Sequence, residues 1–178
     1  MTITTIFWDI GGVILRTEDA APREQFAAEL GLTRHELEKL VFGGDLGTRA
    51  QKGEITPDEL WATARSVLNL PPDAYPDFGE RFFGGDRIDY ALVDFIRSLK
   101  PKHQIGIISN AWKNLPDALQ SWQIADAFDV AVGSGDEGVM KPDARIYHLA
   151  LKRIQAQASE CVFVDDFPTI SKARKPWA

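Results

Sequence analysis

Hydrophobic and polar positions divide this chain into regions that predict strands and a middle region that predicts helices. The first apolar run, within Thr4–Leu15, is rich in β-branched residues up to Trp8 and then presents Asp9 and two glycines. Such a run is typical of a buried parallel strand whose carboxyl end opens into a tight loop. Ligands bind at the carboxyl ends of strands in open α/β sheets, so we expect Asp9 at the tip of the central strand, in a functional site.

The middle of the chain, residues 16–86, contains no clear strand pattern and predicts helices. Apolar spacing predicts one helix over Asp19–Leu30, and Thr33–Glu36 has the sequence of a capping box that starts a second. Thr56–Glu59 is a stronger start signal, with an N-cap threonine and a proline at the first helical position. The helix that follows is expected to bury an apolar face that includes Val67. We therefore expect residues 16–86 to form an all-helical cap over the mouth of the sheet.

From Ile88 onward, predicted helices and strands alternate. Strands separated by helices of ten or more residues favour an α/β fold with a Rossmann-like, doubly wound parallel sheet. The predicted core domain comprises residues 1–15 and 87–178, and the cap domain is the inserted segment 16–86. The predicted helices are Tyr90–Leu99, residues 114–122 and Pro142–Ile154, and the predicted strands are Gln104–Ile108, Phe128–Val132 and Glu160–Val164.

The composition is that of an ordinary soluble domain and narrows the function mainly by exclusion. The 178 residues carry a net charge of -6, and the one basic cluster, Lys172–Lys175, is short, so we expect no nucleic-acid partner. No apolar stretch approaches the ~18 residues that span a membrane, and no signal peptide is evident, so we expect no membrane association. Cys161 is the single cysteine, which fits a cytoplasmic location, and its apolar neighbours predict a small buried side chain.

Each predicted strand ends near a polar residue suited to one reaction. Asp9 follows the first strand, Ser109 the second, Lys141 lies after the third, and Asp165 and Asp166 follow the last. Carboxylates without histidine or cysteine favour Mg²⁺ over zinc. A hydroxyl and an ammonium beside them suit a phosphate group, and a carboxylate next to Mg²⁺ can attack phosphorus. The residues therefore predict metal-assisted phosphoryl transfer, with Asp9 as the nucleophile.

Each of these residues alone has a simpler structural interpretation. Asp9 before glycine could cap a turn, Ser109 and Asn110 could cap a helix, and Lys141 could be a solvated lysine. The adjacent acids Asp165 and Asp166 are less easily explained, because neighbouring carboxylates at the end of a buried strand repel each other unless a cation lies between them. The combination favours the functional interpretation.

The same residues carry a family resemblance over about residues 3–170. The stretches FWDIGGVIL, IGIISNAW, GVMKPD and CVFVDD resemble, in order, the four motifs of the haloacid dehalogenase-like (HAD) hydrolase superfamily. The helical segment after the first motif resembles the small cap of the dehalogenase and sugar-phosphatase branch. The resemblance implies a HAD-like fold and a Mg²⁺-dependent phosphatase acting on a small phosphorylated metabolite. It implies Asp9 as nucleophile and metal ligand, Ser109 and Asn110 as phosphoryl-binding residues, Lys141 as a bridge between phosphate and nucleophile, and Asp165, Asp166 and the carbonyl of Gly11 as further metal ligands.

Two departures from the family pattern stand out. Family phosphatases usually have a second Asp two residues after the nucleophile, where it acts as the general acid and base, but this chain has Gly11. General acid–base assistance is worth about 10²–10⁴ in rate, so we expect a slow enzyme or one restricted to good leaving groups, with Asp19 as a candidate substitute acid. The family chain also continues past the fourth motif, whereas this one ends at Ala178, so we expect the last edge strand to be missing.

These departures keep two other functions open. A 2-haloacid dehalogenase also lacks the second Asp, although that branch uses no Mg²⁺ and lacks the acidic pair kept here as Asp165 and Asp166. The third hypothesis is a catalytically degenerate member that binds a phosphorylated ligand or a partner protein.

Overall fold

The computed structural model of this chain describes residues 2–166, and its centre is a four-stranded parallel sheet. The strand order is β5–β4–β1–β6, so β1 lies in the middle, paired with β4 on one side and β6 on the other. The predicted doubly wound α/β sheet is therefore confirmed, with Asp9 after its central strand. The strands are β1 Thr5–Trp8, β2 Leu15–Thr17, β3 Asp86–Ile88, β4 Gln104–Ser109, β5 Val130–Gly133 and β6 Cys161–Val164.

Helices cover both faces of this sheet because successive strand residues point to opposite sides. Phe7 of β1 packs in one apolar cluster with Tyr147, whereas Trp8 packs in another with Val93 and Leu115. All five side chains are buried. The helices are α1 Ala21–Glu29, α2 Arg34–Phe42, α3 Gly44–Gln51, α4 Pro57–Val67, α5 Phe78–Phe82, α6 Tyr90–Leu99, α7 Leu115–Ser121, α8 Ser134–Glu137 and α9 Ala144–Ile154.

The helices α1 to α5, residues Ala21–Phe82, form a helical insert with an apolar cluster of its own. The insert is flanked by two short strands, β2 and β3, which pair antiparallel to each other. The prediction of no strand within 16–86 is therefore wrong at both edges of that segment. Each strand has only three residues, too few for an alternating pattern to be recognised in the sequence. The proposed division into core and cap domains remains a prediction.

Local start signals predicted the insert better than apolar spacing did. Thr33 and Thr56 both form complete capping boxes, each accepting a hydrogen bond from the backbone N–H of the glutamate three residues later. Helix α1 begins at Ala21 rather than at Asp19. The apolar pattern did not predict α3 or α5. Helix α3 begins at a glycine, a residue typical of loops, and α5 has only five residues.

Three further expectations differ from the structure or lie beyond it. Val67 is 58% exposed, because the buried face of α4 is formed by Leu60 and Ala64 instead. Cys161 is half-buried rather than buried, since β6 lies at an edge of the described sheet. The expected absence of a last strand and the basic cluster Lys172–Lys175 lie outside the described residues. None of the helices in residues 2–166 has the length and apolar character needed to cross a bilayer.

One buried arginine joins four elements of the chain around the insert. Arg23 of α1 is only 4% exposed, and its Nη1 lies 2.8 Å from Glu38 of α2. Its Nη2 lies 2.7 Å from Asp86 of β3, its Nε donates to the carbonyl of Phe82 at 2.8 Å, and its guanidinium lies 4.4 Å above the Phe82 ring. A charge buried this deeply requires such partners, and sequence periodicity does not reveal them.

We expect Arg23→Met to destabilise the fold, because it leaves the carboxylates of Glu38 and Asp86 without their buried partner. The expected loss is about 3 kcal/mol in the free energy of unfolding, measured by urea denaturation. Arg145→Met is the matched control, because that arginine is mostly exposed and pairs with Asp143 at the surface; exposed ion pairs stabilise little, so we expect a much smaller loss. Equal losses in the two variants would contradict the structural role assigned to Arg23.

Candidate active site

The predicted site residues meet at the carboxyl edge of the parallel sheet. Asp9 follows β1, Ser109 ends β4, and Asp165 and Asp166 follow β6, while Lys141 lies in the loop between α8 and α9. Because β1 is hydrogen-bonded to both β4 and β6, the residues that follow these three strands lie side by side. The sheet topology thus brings together residues that are more than 150 positions apart in sequence.

Lys141 is the centre of the site. Its Nζ lies 2.8 Å from Asp9 Oδ2 and 2.6 Å from Asp165 Oδ2, and its side chain is only 2% exposed. The ammonium also lies 5.0 Å from the centre of the Phe163 ring, whose face attracts cations. Lys141 therefore offsets the charge of the two buried acids and fixes their positions relative to each other.

Asn110 holds the backbone of Lys141 in place. Its Oδ1 accepts a hydrogen bond from the Lys141 N–H at 2.7 Å, and its Nδ2 donates to the Lys141 carbonyl at 3.1 Å. The sequence predicted Asn110 as a phosphoryl-binding residue, but here both ends of its side-chain amide engage the Lys141 backbone. Asn110 thus joins the loop after β4 to the loop that carries Lys141.

Asp9 is buried, and its surroundings act on its pKa in opposite directions. Burial raises the pKa of this carboxyl, while the charge of Lys141 and hydrogen bonds from Lys141 and Ser109 lower it; the effect of burial is larger. Oδ1 also accepts a hydrogen bond from the backbone N–H of Ile10 at 2.8 Å. These contacts fix the orientation of the carboxylate, which a nucleophile at this position requires.

The donor set fits a hard divalent cation. Asp9, Asp165 and Asp166 each offer a carboxylate oxygen, and these oxygens lie within 4.8 Å of one another. Three carboxylates and one ammonium carry a formal charge of −2, which one divalent cation would cancel. Oxygen ligands of this kind suit Mg²⁺.

Gly12 makes room for the third acid of this set. A Cβ atom at position 12 would lie 2.1 Å from Asp166 Oδ2, and the backbone there has a φ of +77°, which favours glycine. Position 11 differs, since its backbone φ is not in the left-handed region and a Cβ there would meet no heavy atom within 4 Å. Gly11 is therefore not required by space, and a larger side chain would fit.

Asp19, the candidate substitute acid, is hydrogen-bonded to the backbone at the start of a helix. Its Oδ1 accepts a hydrogen bond from the backbone N–H of Ala21 at 2.9 Å, at the start of α1. The Asp19 side chain is exposed. Within residues 2–166, the carboxylates that group with Asp9 are those of Asp165 and Asp166, and Asp19 is not among them. These contacts give Asp19 a structural role.

Two further residues at this edge contact the helical insert. The buried Ser134 hydroxyl lies between the carbonyls of Gln51, in α3, and Ala111, 3.1 Å away. The Ala111 carbonyl already accepts from the Gly135 N–H at 2.9 Å, so the single hydroxyl hydrogen is available for Gln51. Trp112, two residues after Asn110, contacts rings of the insert. The short stretches Gly133–Gly135 and Asn110–Trp112 can be recognised in the sequence at the ends of predicted strands, but the residues that Ser134 and Trp112 contact lie in a distant segment and cannot.

Comparisons with known proteins agree with this geometry. The chain matches the haloacid dehalogenase-like hydrolase family over residues 3–173. It is 25% identical over 173 residues to a sesquiterpene phosphatase of Aspergillus oryzae, covering 93% of this chain and 81% of the relative.

Among solved structures, a HAD family enzyme from Bacteroides thetaiotaomicron in complex with magnesium and inorganic phosphate has a TM-score of 0.78 at 18% identity, covering 98% of this chain and 91% of that one. A 2-haloacid dehalogenase from Pseudomonas syringae has a TM-score of 0.60 at 20% identity, covering 94% of this chain and 79% of that one. A similar fold is thus found in an enzyme solved with magnesium and phosphate and in a 2-haloacid dehalogenase. With the four motifs in place and almost the whole sequence matched, this chain belongs to the haloacid dehalogenase-like hydrolase family.

Proposed function

We propose that this chain is a Mg²⁺-dependent phosphatase that hydrolyses a small phosphomonoester through a phosphorylated Asp9. The observation that carries the proposal is the buried Asp9 carboxylate, held by Lys141 and grouped with Asp165 and Asp166. A relative with the name of a phosphatase and a similar fold solved with magnesium and phosphate support it. Asp9, Asp165, Asp166 and the carbonyl of Gly11 would hold the cation.

In the proposed reaction, a carboxylate oxygen of Asp9 attacks phosphorus, and the bond from phosphorus to the oxygen of the organic group breaks. The ammonium of Lys141 stabilises the negative charge that develops, and Ser109 donates a hydrogen bond at the same edge. Bound Mg²⁺ would add positive charge against the phosphoryl oxygens. Water then attacks phosphorus, which breaks its bond to Asp9 and releases inorganic phosphate.

The leaving oxygen departs with its electron pair and requires a proton unless it is already stable as an anion. Gly11 has no side chain that could supply one, and the Asp19 carboxylate is engaged at the start of α1. The proposal therefore includes a preference for phosphomonoesters with good leaving groups.

A dehalogenase is the second candidate, and Gly11 is the observation that favours it. An ester formed by displacing a halide from carbon needs no protonated leaving group. The grouping of Asp165 and Asp166 with Asp9 favours the phosphatase, because a site for a carboxylate substrate gains nothing from two further negative charges.

We expect Asp9→Asn to lower phosphate release from 4-nitrophenyl phosphate by at least about a thousandfold, since the amide is a poor nucleophile. Phosphate release is measured with Mg²⁺ and with a chelator. Asp94→Asn, an exposed substitution on α6, is the control and is expected to retain activity. Metal-dependent turnover by Asp9→Asn would contradict the proposal, and chloride release from a 2-haloacid without Mg²⁺ would favour the dehalogenase.

We expect Gly11→Asp to increase activity on alkyl phosphates by about 10²–10⁴, because it supplies the missing acid in open space. The gain on 4-nitrophenyl phosphate should be much smaller, since that leaving group needs no proton. Gly11→Asn has the same size without the acid and serves as the control; kcat/KM is measured for both substrates. Equal gains from Asp and Asn would show that acid catalysis is not what the site lacks.

We expect Gly12→Ala to weaken Mg²⁺ binding roughly tenfold, because the added methyl displaces Asp166. Gly138→Ala is the matched control: its φ of +69° carries the same backbone cost of about 1 kcal/mol, and its surroundings are open. Calorimetric titration gives the affinity and urea denaturation gives the stability. If both variants bind Mg²⁺ as the unmodified protein does, Asp166 is not a ligand.

A further inference from the structure

Four aromatic side chains meet where the helical insert contacts the loop after β4, and we name them the aromatic cluster. The Trp112 ring centre lies 5.3 Å from that of Trp61 and 5.6 Å from that of Phe83. Phe42, at the end of α2, lies 6.5 Å from Trp112 and 6.1 Å from Phe83. Three members belong to the insert and its exit, whereas Trp112 belongs to the loop that leaves the sheet.

The aromatic cluster is the exposed layer of the insert's apolar core. Phe78 and Phe82, beneath it, are fully buried, whereas Phe42 is 41% exposed and the other members are half-buried. Phe42 contacts Phe82 edge to face at 5.2 Å, so the two layers are continuous. Exposed apolar groups that lie together cost free energy unless something covers them, and such patches mark binding surfaces.

The loop that carries Trp112 begins at the proposed active site. Trp112 follows Asn110 by two residues, a span of at most about 7 Å between Cα atoms. Asn110 in turn holds the backbone of Lys141, whose ammonium contacts Asp9.

The loop that carries Trp112 is packed tightly against its surroundings. A Cβ atom at Gly135 would lie 2.6 Å from the carbonyl carbon of Trp112 and 2.5 Å from the nitrogen of Lys113. This close backbone packing fixes where the loop places Trp112 relative to the reacting group.

We infer that the aromatic cluster binds the organic part of the substrate, which is therefore apolar: an alkyl or aryl phosphomonoester rather than a sugar or polyol phosphate. This inference rests on the proposed function, since the phosphoryl group at Asp9 places the organic part beside Trp112. Contact between an aromatic ring face and an apolar group is favourable, because both surfaces are removed from water. A hydroxylated chain in the same place would lose hydrogen bonds to water that ring faces do not replace.

The test uses alkylphosphonates, which resemble alkyl phosphates but have a carbon–phosphorus bond that this chemistry does not hydrolyse. Methyl-, butyl-, hexyl- and octylphosphonate compete against hydrolysis of acetyl phosphate, whose organic part is too small to use the aromatic cluster. We expect the inhibition constant to fall about threefold for each added methylene. A trihydroxylated butylphosphonate should bind no better than methylphosphonate. A flat series, or tighter binding of the hydroxylated compound, would overturn the inference.

Variants locate the effect within the protein. The inhibition constant of methylphosphonate divided by that of octylphosphonate measures the preference for a long chain. Phe42→Ala should lower this ratio roughly tenfold, whereas Phe42→Leu should lower it much less because leucine is also apolar. Phe95→Ala is the control, because Phe95 is 54% exposed on α6, outside the cluster. Equal ratios in Phe42→Ala and Phe95→Ala would contradict the assignment to the aromatic cluster.

The experiment distinguishes failure of the proposed function from failure of this inference. If neither 4-nitrophenyl phosphate nor acetyl phosphate is hydrolysed, the phosphatase proposal fails, and calorimetric titration of the same phosphonates still measures the dependence on chain length. Affinity that rises with chain length would then support an apolar ligand at a site without turnover. Affinity independent of chain length would reject the inference as well.

Discussion

The ion pairs of Lys141 are the interaction on which the arrangement of the site depends. Its buried ammonium contacts both Asp9, which follows β1, and Asp165, which follows β6. The acids after two neighbouring strands therefore share one positive charge. Two buried carboxylates this close together would repel each other strongly without it. The chain secures the lysine twice, through its side chain by Asp9 and Asp165 and through its backbone by Asn110. The parallel sheet thus positions the loops, and Lys141 fixes their charged groups.

Around this centre the chain separates two tasks. The sheet unit supplies charge and hydrogen bonds at fixed positions, on residues that leave three adjacent strands. The helical insert supplies apolar surface and has an apolar cluster of its own, together with the buried contacts of Arg23. Within the described residues, the backbone of the insert comes close to the backbone of the sheet unit. At Gly53 of the insert, for example, an added Cβ atom would lie 2.1 Å from the carbonyl oxygen of Gly135. The charged groups and most of the aromatic cluster are thus carried by different parts of the chain, and Trp112 is the cluster member on the sheet side.

Much of the sheet and of the site could be predicted from local sequence, and the contacts between distant segments could not. Apolar runs ending in Asp9, Ser109 and Asp165 indicate strands because burial on both faces leaves a continuous hydrophobic pattern. The caps at Thr33 and Thr56 follow from short-range hydrogen bonding. The roles of Arg23 and Ser134 depend on partners far away in sequence, and a single arginine or serine has no periodicity to reveal them. The half-buried state of Cys161 depends likewise on which strands flank β6, a property of the sheet and not of the run CVFV.

The antiparallel pairing of β2 with β3 has a consequence for how such a protein can change over time. Thr17 and Asp86 lie opposite each other in this ribbon, and the threonine hydroxyl donates to the aspartate at 2.7 Å. The chain therefore leaves the sheet unit and returns to it at nearly the same point, although some seventy residues lie between. Segments of other lengths and folds can be exchanged there while the ends keep their separation. The insert, which we propose contacts the organic group, can then diversify while the charged residues at the strand ends stay in register.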